Sequence, residues 1–263
     1  MNIDSFSLYQ WLLWFQLAMS PIILISLVFV TAPYGRHSRG GWGLTLDSRL
    51  AWILMELPAV LTIAIVYMIH AKSIHPLSIV LLLIWQFHYI YRTFIFPFKL
   101  RKTQKNFPVL IILFALIFNV INGFINGSFI FEIRPIKSVD FFLKPHFIIG
   151  LIIFLSGFIM HFHSDRIIIG LRKDQNVEYA IPRGGMFKYV TNPNYLGEFI
   201  QWTGWAILTW SPAGLAFAIF TLANLLPRAM SNHQWYKSKF PDYPQERKRF
   251  FPYLYWGVLG TDK

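Results

Sequence analysis

Seven long apolar segments divide the chain, and they constrain its fold more than any other feature of the sequence. Because a bilayer core is about 30 Å thick, a spanning helix needs roughly 20 apolar residues, and each segment has about that length. Hydrophobic residues make up 55% of the chain and charged residues only 14%, which is typical of membrane proteins. We therefore predict an all-α polytopic membrane protein that forms a single domain over residues 1–263. Its seven transmembrane helices are predicted at about residues 7–31, 50–70, 77–98, 107–131, 145–163, 194–211 and 213–232.

Basic residues concentrate in every second loop. The loops after the first, third and fifth helices and the C-terminal tail are rich in Lys and Arg, whereas the loops on the opposite side carry few. The positive-inside rule then predicts that the N-terminus lies outside and the C-terminus in the cytosol. This bias explains the formal charge of +12, so we expect no nucleic acid as a partner. Basic cytosolic loops also suit a polyanionic ligand such as a phosphorylated cofactor.

Several kinds of site are excluded by absent residues or motifs. The chain has no cysteine, so disulfides, thiolate nucleophiles and cysteine-based metal sites cannot form. It contains no G-x-G-x-x-G motif after a strand, no P-loop and no G-x-S-x-G motif. His161 and His163 are two residues apart, which directs them to different faces of a helix. We therefore expect no metal ion.

The segment from His161 to Trp202 is dense in polar residues although it lies between two apolar runs. The polar residues recur at helical spacing and form two sets: His161, Asp165 and Arg172, and Asn194, Glu198 and Gln201. Ionisable groups this close to a bilayer are costly, so the cluster is a candidate functional site.

Two further predicted helices carry isolated polar residues. Glu56 lies in the second helix, where it either binds a ligand or bonds to a neighbouring helix. Tyr89 lies in the third helix, four residues after Trp85 and three before Arg92. A tyrosine hydroxyl beside a buried carboxyl can hold a carbonyl oxygen, but Tyr89 and Tyr91 also fit an interfacial aromatic belt.

The last predicted helix carries a polar stripe with a repeat of four residues. The stripe consists of Asn224, Arg228, Asn232 and Tyr236. Four polar residues on one face of an apolar helix face protein or water rather than lipid. The stripe is therefore either a ligand-binding surface or a structural polar seam.

Six motifs, in this order and spacing, resemble the steroid 5α-reductases, also called 3-oxo-5α-steroid 4-dehydrogenases. They are W-x-x-x-E-L-P at Trp52–Pro58, H-Y-x-x-R-T-F at His88–Phe94, H-S-D-x-I-x-x-x-L-R-K at His163–Lys173, I-P-x-G-G-x-F-x-Y-V at Ile181–Val190, N-x-L-G-E-x-I-x-W at Asn194–Trp202 and R-A-x-x-x-H-x-W-Y-x-x-x-F-x-D-Y-P at Arg228–Pro244. Each motif alone is modest, whereas their combination is highly specific. The resemblance extends from about Tyr34 to Pro252.

The resemblance implies a seven-helix membrane enzyme that uses NADPH to reduce the C4–C5 double bond of 3-oxo-Δ4-steroids to 5α products. It implies that Glu56 and Tyr89 are catalytic and hold the 3-keto oxygen. The implied substrate-binding residues are Trp52, Glu56, Tyr89, Glu198 and Trp202. The implied cofactor-binding residues are Tyr34, Arg36, His37, Arg101, His161, Asp165, Arg172, Asn194, Arg228, Asn232 and Tyr236.

The chain departs from the family pattern at three positions. His161 stands where mammalian members have asparagine, Ala180 replaces an arginine, and Asn232 occupies a position that is often histidine. All three concern the implied cofactor site, whereas the pair of Glu56 and Tyr89 is intact.

The chemistry of the reaction agrees with these roles. When hydride adds to the β-carbon of an enone, negative charge develops on the carbonyl oxygen, and preorganised donors there stabilise the transition state. Tyr89 can donate a hydrogen bond, and Glu56 can donate one in its protonated form, which apolar surroundings favour. The α-carbon then takes a proton from water or from a nearby group.

Other functions fit parts of the sequence. A sterol or isoprenoid enone reductase, an S-adenosylmethionine-dependent membrane methyltransferase and a non-enzymatic transporter or lipid-binding protein are the alternatives. We expect a monomer in a lipid bilayer that acts on a steroid or a related lipophilic enone. The absence of a C-terminal retention signal favours a bacterial inner membrane, with the endoplasmic reticulum as the location in a eukaryotic host.

Overall fold

The computed structural model describes residues 4–99, 106–171 and 179–252, and long helices dominate these ranges. The helices are α1 (Ser5–Phe29), α2 (Ser48–His70), α3 (Ile79–Ile90), α4 (Phe96–Lys99), α5 (Val109–Ser128), α6 (Pro145–Leu171), α7 (Pro193–Thr209) and α8 (Pro212–Lys239). A π-helical turn at Tyr91–Ile95 joins α3 to α4, and a second one at Phe129–Ile133 continues α5. The predicted all-α class is confirmed.

Six helical segments of the described residues are long and apolar enough to cross a membrane. They are Ser5–Phe29, Ser48–His70, Pro76–Lys99, Val109–Ile133, Pro145–Leu171 and Pro212–Lys239. Their outer surfaces carry large exposed apolar side chains, such as Trp11 at 73% exposure, which suit contact with lipid. Helix α7 has 17 residues and is shorter than these spans. The protein is a polytopic membrane protein, while the count of seven spans and the orientation stay predictions.

Two helices extend beyond their predicted ends. Helix α6 continues past residue 163 to Leu171, and α8 continues past residue 232 to Lys239. The prediction stopped where the sequence becomes polar, but polar residues continue a helix when neighbouring elements satisfy them. Asp165 of α6 accepts a hydrogen bond from Asn194, and Asn232 of α8 is hydrogen-bonded to His37.

Glycines bring α6 and α7 into close contact. The Cβ atom of a larger residue would lie 2.3 Å from the Leu208 backbone nitrogen at Gly150, and 2.3 Å from that of Gln201 at Gly157. On α7, a Cβ atom at Gly204 would lie 2.3 Å from the Phe154 backbone nitrogen. Because both helices carry glycine at a seven-residue spacing, the backbones pack directly against each other, as in other membrane helix pairs. This packing brings the polar ends of the two helices together.

An aromatic cluster forms the centre of the helix bundle. Trp85 of α3 packs against Trp202 and Trp205 of α7 and against Phe217 of α8, with ring centroids 5.2–5.6 Å apart. The Trp85 indole also donates to the Ala59 carbonyl oxygen in α2 at 2.9 Å. A donor-bearing ring that is fully buried needs such a partner, so this bond fixes α3 against α2.

Two short pairings hold the loops near the ends of the helices. Strand β1 (Thr45–Leu46) pairs antiparallel with β2 (Phe107–Pro108), which links the segment after α1 to the start of α5. Near the C-terminus, the backbone of Lys248 bonds to Tyr189 and Thr191, just before α7. These contacts hold the segment after α1 at the start of α5, and the C-terminal segment beside the start of α7.

Candidate active site

A buried arginine connects the carboxylate of α2 with that of α6. Arg92 lies in the π-helical turn after α3, with its Nη2 atom 3.9 Å from Glu56 Oε1. Its Nη1 atom donates to Asp165 Oδ2 at 3.4 Å. The guanidinium also lies over the rings of Trp52 and Phe96, 4.7 and 4.4 Å from their centroids. Such π-helical turns occur frequently at functional sites, and here the turn places a cation between two acids.

His161 lies between the polar ends of α6 and α7. Its Nδ1 atom is 3.0 Å from the backbone oxygen of Asn194 and 3.7 Å from Glu198 Oε2. Its Nε2 atom is 3.3 Å from Asp165 Oδ2 but makes no hydrogen bond of good geometry. The Asn194 backbone oxygen can only accept a hydrogen bond, so His161 donates to it through Nδ1. Four predicted site residues therefore form one cluster.

Tyr89 is buried near Glu56, at one end of the charged series formed by Glu56, Arg92 and Asp165. Its ring stacks on Trp85 and on Trp202, with centroids 5.0 and 5.5 Å apart, and only 3% of its surface is exposed. The charges of Glu56, Glu198 and Arg92 act on its hydroxyl. A belt residue at the membrane surface faces headgroups, whereas Tyr89 lies in the protein interior beside an acid.

The two predicted tryptophans lie in different surroundings. Trp202 is fully buried behind Tyr89, and its ring centroid is 4.3 Å from that of Phe217. Trp52 lies against Arg92, near Phe96 and Phe107, and its buried indole nitrogen has no hydrogen-bond partner in the described residues. Trp202 thus supports the Tyr89 ring, while Trp52 carries an unused donor.

The loop after α1 meets the polar stripe of α8. The Arg228 Nη2 atom donates to the Tyr195 hydroxyl at 3.2 Å, and its guanidinium lies 4.6 Å from the Tyr34 ring centroid. His37 Nε2 is 3.0 Å from Asn232 Oδ1, so the ring nitrogen donates and the amide oxygen accepts. The loop and helix are therefore joined by predicted cofactor residues from both elements.

Arg36 lies among three aromatic rings in the same region. Its guanidinium is 4.6 Å from the ring centroid of Tyr236, 5.1 Å from that of Trp235 and 5.8 Å from that of Tyr179. Its buried Nη1 atom has no hydrogen-bond partner in the described residues. Cation–π contacts hold the charge in place without using its N–H donors, so those donors stay available to an anion.

Tyr34 and His37, in the loop after α1, are both uncharged near pH 7. Burial raises the pKa of the Tyr34 hydroxyl to about 12, although the nearby Arg228 charge opposes that shift. Burial also lowers the pKa of the His37 imidazole, with a further contribution from Arg36, Arg228 and Arg39. The positive charge of this region therefore comes from its arginines.

Two of the predicted cofactor residues, Arg101 and Arg172, lie outside the described residues. The remaining predictions fall into three places that follow one another through the bundle. Glu56, Tyr89, Trp52 and Trp202 lie around α2, α3 and α7, and His161, Asp165, Asn194 and Glu198 lie where α6 meets α7. Tyr34, Arg36, His37, Arg228, Asn232 and Tyr236 lie where the loop after α1 meets α8.

The structure adds site residues that the sequence prediction left out. Arg92 is the most central, and an arginine within a spanning helix could have identified it. Tyr195 binds Arg228, and Trp235 packs on Arg36, but single aromatic residues gave no such signal. His88 Nδ1 also lies 3.1 Å from Gln201 Oε1, directly beside the cluster.

A second group of residues that the sequence prediction left out links the C-terminal segment to α8. The Thr191 hydroxyl lies 2.6 Å from His233 Nδ1 and 2.7 Å from the Tyr243 hydroxyl. Burial raises the pKa of Tyr243, so its hydroxyl stays protonated. These bonds attach the C-terminal segment to α8 beside Asn232, and only contacts between distant parts of the chain define them.

Sequence comparison assigns the chain to a family. The family model described as 3-oxo-5-alpha-steroid 4-dehydrogenase matches residues 105–255. A protein of Solanum lycopersicum, named steroid 5-alpha-reductase DET2, is 43% identical over 253 residues, which cover 95% of this chain and 98% of the relative. A protein of Rattus norvegicus, named 3-oxo-5-alpha-steroid 4-dehydrogenase 1, is 35% identical over 256 residues, which cover 97% and 98%. The chain therefore belongs to the 3-oxo-5-alpha-steroid 4-dehydrogenase family.

Proposed function

We propose that the protein reduces the C4–C5 double bond of 3-oxo-Δ4-steroids to 5α products with NADPH. The observation that carries this proposal is the position of Glu56 near the buried Tyr89, with Arg92 linking Glu56 to the polar cluster of α6 and α7. Two hydrogen-bonding groups in an apolar interior suit one carbonyl oxygen of a lipophilic substrate. The names and high coverage of the relatives support the same substrate class.

Glu56 and Tyr89 act on the oxygen that becomes negative during the reaction. The Tyr89 hydroxyl donates to the 3-keto oxygen, and Glu56 donates in its protonated form. Because the negative charge on this oxygen is greater in the transition state than in the ketone, these bonds strengthen as the reaction proceeds. The C4 atom receives a proton as the ketone re-forms, which completes the addition of one hydride and one proton.

The rings around Tyr89 and Arg92 fix these two side chains and exclude water. Trp85 and Trp202 stack on Tyr89, and Trp52 covers the Arg92 guanidinium. Removal of water strengthens the hydrogen bonds at the substrate oxygen. A steroid ring system is largely apolar, so an aromatic and aliphatic lining also matches the rest of the substrate.

The residues at the polar ends of α6, α7 and α8 fit a phosphorylated dinucleotide. Asn194 Oδ1 is buried without a hydrogen-bond partner in the described residues, and so is Arg36 Nη1. An amide acceptor suits the carboxamide of nicotinamide, and guanidinium donors suit phosphate oxygens. His161, Asp165 and Asn194 would hold the nicotinamide end, and Arg36 and Arg228 the phosphates. When bound, NADPH supplies the hydride.

The neighbouring residues keep these groups in place. Tyr34 and Tyr195 hold the Arg228 guanidinium by stacking and by a hydrogen bond, while His37 holds Asn232. Tyr236 supports Arg36 by a cation–π contact. Arg101 and Arg172, by family resemblance, would add further positive charge, and Glu198 would separate the nicotinamide from the steroid.

The direct test uses the full-length protein purified in detergent. The proposal expects loss of NADPH absorbance on addition of progesterone or testosterone, and a product with 5α configuration by chromatography against standards. A saturated 3-keto steroid is the matched control, because it offers the same carbonyl without a C4–C5 double bond. Equal NADPH consumption with both steroids, or none with either, contradicts the proposal.

The protein is an integral multi-pass membrane protein with a steroid substrate class. We further propose the bacterial inner membrane as its location, with the endoplasmic reticulum as the alternative in a eukaryotic host, and a monomeric state. Membrane fractionation tests the location, and mass determination in detergent tests the monomer. A stable dimer mass would overturn the monomer proposal.

A further inference from the structure

A group of buried amides lies behind Tyr89, away from the cofactor residues. Asn122 and Asn126 of α5 have no exposed surface, and Gln16 of α1 has 2%. Side-chain amides are costly within a membrane bundle, so a buried group of three calls for a physical reason. Neither the proposed hydride transfer nor the proposed NADPH site uses them.

The hydrogen bonds of this group lead from Trp205 through Asn126 to Asn122, each residue donating to the next. The Trp205 indole nitrogen, which can only donate, donates to Asn126 Oδ1 at 2.8 Å. This bond fixes the orientation of the Asn126 amide, whose Nδ2 atom then donates to Asn122 Oδ1 at 3.1 Å. Gln16 Nε2 donates to the same Asn122 oxygen at 3.3 Å. The side-chain oxygen of Asn122 therefore accepts two hydrogen bonds.

The remaining polar atom of the Asn122 side chain is a donor. The Asn122 Nδ2 atom is buried and makes no hydrogen bond within the described residues. The Asn122 side chain nevertheless lies within interaction range of the Tyr89 hydroxyl. Since Asn122 Oδ1 already accepts from two donors, the amide nitrogen is the atom of this side chain that is available to the Tyr89 oxygen.

We propose that Asn122 is a positioning residue that directs the Tyr89 hydroxyl hydrogen to the substrate carbonyl. This inference rests on the proposed function, because it assigns Tyr89 the role of donor. An amide beside a hydroxyl can accept from it or donate to it. With Trp205 and Asn126 fixing the amide, Asn122 donates to the Tyr89 oxygen, and the Tyr89 hydrogen remains available to the 3-keto oxygen.

The order of donors and acceptors in this series of hydrogen bonds also strengthens the bond from Tyr89 to the substrate. Each donor in a series of hydrogen bonds becomes more polar when its own oxygen accepts another bond. A bond from Asn122 to the Tyr89 oxygen therefore makes the Tyr89 hydroxyl a stronger donor. The bond from Tyr89 to the substrate also strengthens as negative charge develops on the substrate oxygen. The opposite orientation of Asn122 would take the Tyr89 hydrogen into an amide oxygen and remove it from the substrate.

A double-mutant cycle with turnover as readout tests this role. We expect Asn122→Leu to lower kcat about tenfold with a smaller change in KM for the steroid, because a neutral hydrogen bond contributes up to about 1.5 kcal/mol. In a Tyr89→Phe background, Asn122→Leu should cause no further loss, since the hydroxyl that it orients is absent. Equal losses in both backgrounds would show that Asn122 only supports packing, and would overturn the proposal.

Asn119 provides the matched control on the same helix. Its Nδ2 atom donates to the Met55 backbone oxygen at 2.6 Å, and it has no bond to the chain from Trp205. Asn119→Leu removes a buried amide of the same size from α5. We expect any loss of kcat that it causes to be the same with Tyr89 and with Phe at that position.

Trp205→Phe offers a second variant if Asn122→Leu does not fold. It keeps an aromatic ring in the core but removes the N–H group that fixes Asn126. We expect a loss of kcat of about threefold, smaller than that of Asn122→Leu because two amides separate Trp205 from Tyr89. This loss should also vanish with Tyr89→Phe, and its persistence there would contradict the proposal.

An infrared measurement removes the dependence on turnover. A steroid labelled with ¹³C at the 3-keto carbon, bound together with NADP⁺, reports the strength of the hydrogen bond at its oxygen through the carbonyl stretch. We expect a higher stretching frequency in Asn122→Leu than in the wild type, and an unchanged frequency would overturn the proposal.

The outcomes for the wild type separate the two proposals. A wild-type protein that reduces the steroid but gives additive losses in the cycle retains the proposed function and loses the role of Asn122. A wild-type protein that neither binds nor reduces the steroid overturns the proposed function and this inference together.

Discussion

The two halves of the proposed site differ in the contacts that hold their side chains. The substrate half, formed by Trp52, Glu56, Tyr89 and Trp202, lies on long helices, and stacked rings hold its Tyr89. The cofactor half, formed by Tyr34, Arg36, His37, Arg228, Asn232 and Tyr236, joins a loop to a helix through guanidinium–ring contacts and single hydrogen bonds.

This difference reflects what each half does. Donors that act on a developing charge must be in place before the reaction, since reorganisation during the reaction would add to the barrier. A dinucleotide must enter and leave in every cycle, so its binding residues belong on elements that need less packing energy to move. Variants of the two halves should therefore change different kinetic constants.

The largest effect is expected at Arg92, which joins the substrate half to the polar cluster of α6 and α7 by contacting Glu56 and Asp165. Arg92→Leu leaves the Asp165 carboxylate and the Glu56 carboxyl group without the buried cation that contacts both, so we expect the protein to lose about 3 kcal/mol of stability or more. Turnover and NADPH binding should both fall. Thermal unfolding in detergent and an NADPH fluorescence titration measure these losses.

Arg166→Leu is the control for this prediction. Arg166 follows Asp165 on α6, but it is exposed and lies 5.9 Å from the Phe162 ring centroid. We expect a change of less than about 0.5 kcal/mol, as for most surface residues. If Arg92→Leu lost turnover but kept full stability and NADPH binding, Arg92 would belong to the substrate half alone.

The next largest effect is confined to the substrate half. Tyr89→Phe and Glu56→Gln should each lower kcat about 100-fold, because each alters a group that stabilises the charged oxygen in the transition state. The Kd of NADPH should stay within about twofold, since neither residue belongs to the cofactor half. Initial rates at saturating steroid and a separate NADPH titration distinguish the two quantities.

Tyr91→Phe controls for the loss of a phenol on the same helical segment. Tyr91 is buried against Phe96 and Phe162, two residues after Tyr89. Residues two apart project from different faces of a helix, so the Tyr91 hydroxyl does not lie where the Tyr89 hydroxyl does, and we expect nearly normal kcat. Normal turnover of Tyr89→Phe would contradict the proposed role of that hydroxyl.

The opposite pattern is expected in the cofactor half. Arg228→Leu removes a guanidinium held between Tyr34 and Tyr195 and should raise the KM for NADPH about tenfold, with kcat at saturating NADPH little changed. Lys237→Ala, which removes an exposed cation from the same helix, is the control and should leave both constants unchanged. A fall in kcat alone would place Arg228 in the substrate half.

The sequence predicted the elements of the fold better than their ends. Apolar segments identified the long helices, since lipid imposes a length and composition that can be read directly. The ends of α6 and α8 were placed too early because their polar residues are satisfied by partners on other elements, such as Asn194 and His37. Such contacts leave no periodic signal in the chain.

The candidate site shows the same limit. Motif resemblance supplied Glu56, Tyr89 and Asp165, and their surroundings followed only from the structure. Arg92 was omitted although its burial between two acids defines the geometry of the site. The sequence also did not single out the amides of Asn122 and Asn126, since their hydrogen bonds depend on Trp205, which is distant in sequence.

The smallest expected effect concerns the acid sensitivity of the cofactor half. Because the pKa of His37 is lowered by burial and by nearby arginines, the unfolded chain binds a proton at this residue more readily than the folded protein. Stability should therefore be constant above the ordinary histidine pKa of about 6.5, and should fall as the pH drops below that value.

His37→Gln separates this contribution from other acid effects. Glutamine can still donate to Asn232 but does not titrate, so the variant should lose less stability than the wild type between about pH 6.5 and 5. Thermal unfolding of the two proteins without NADPH across this range measures the difference. Added NADPH should reduce it, because phosphate charge near Arg36 and Arg228 favours protonated His37. Parallel pH profiles with and without NADPH would separate His37 from the cofactor half and leave its contact with Asn232 as a structural one.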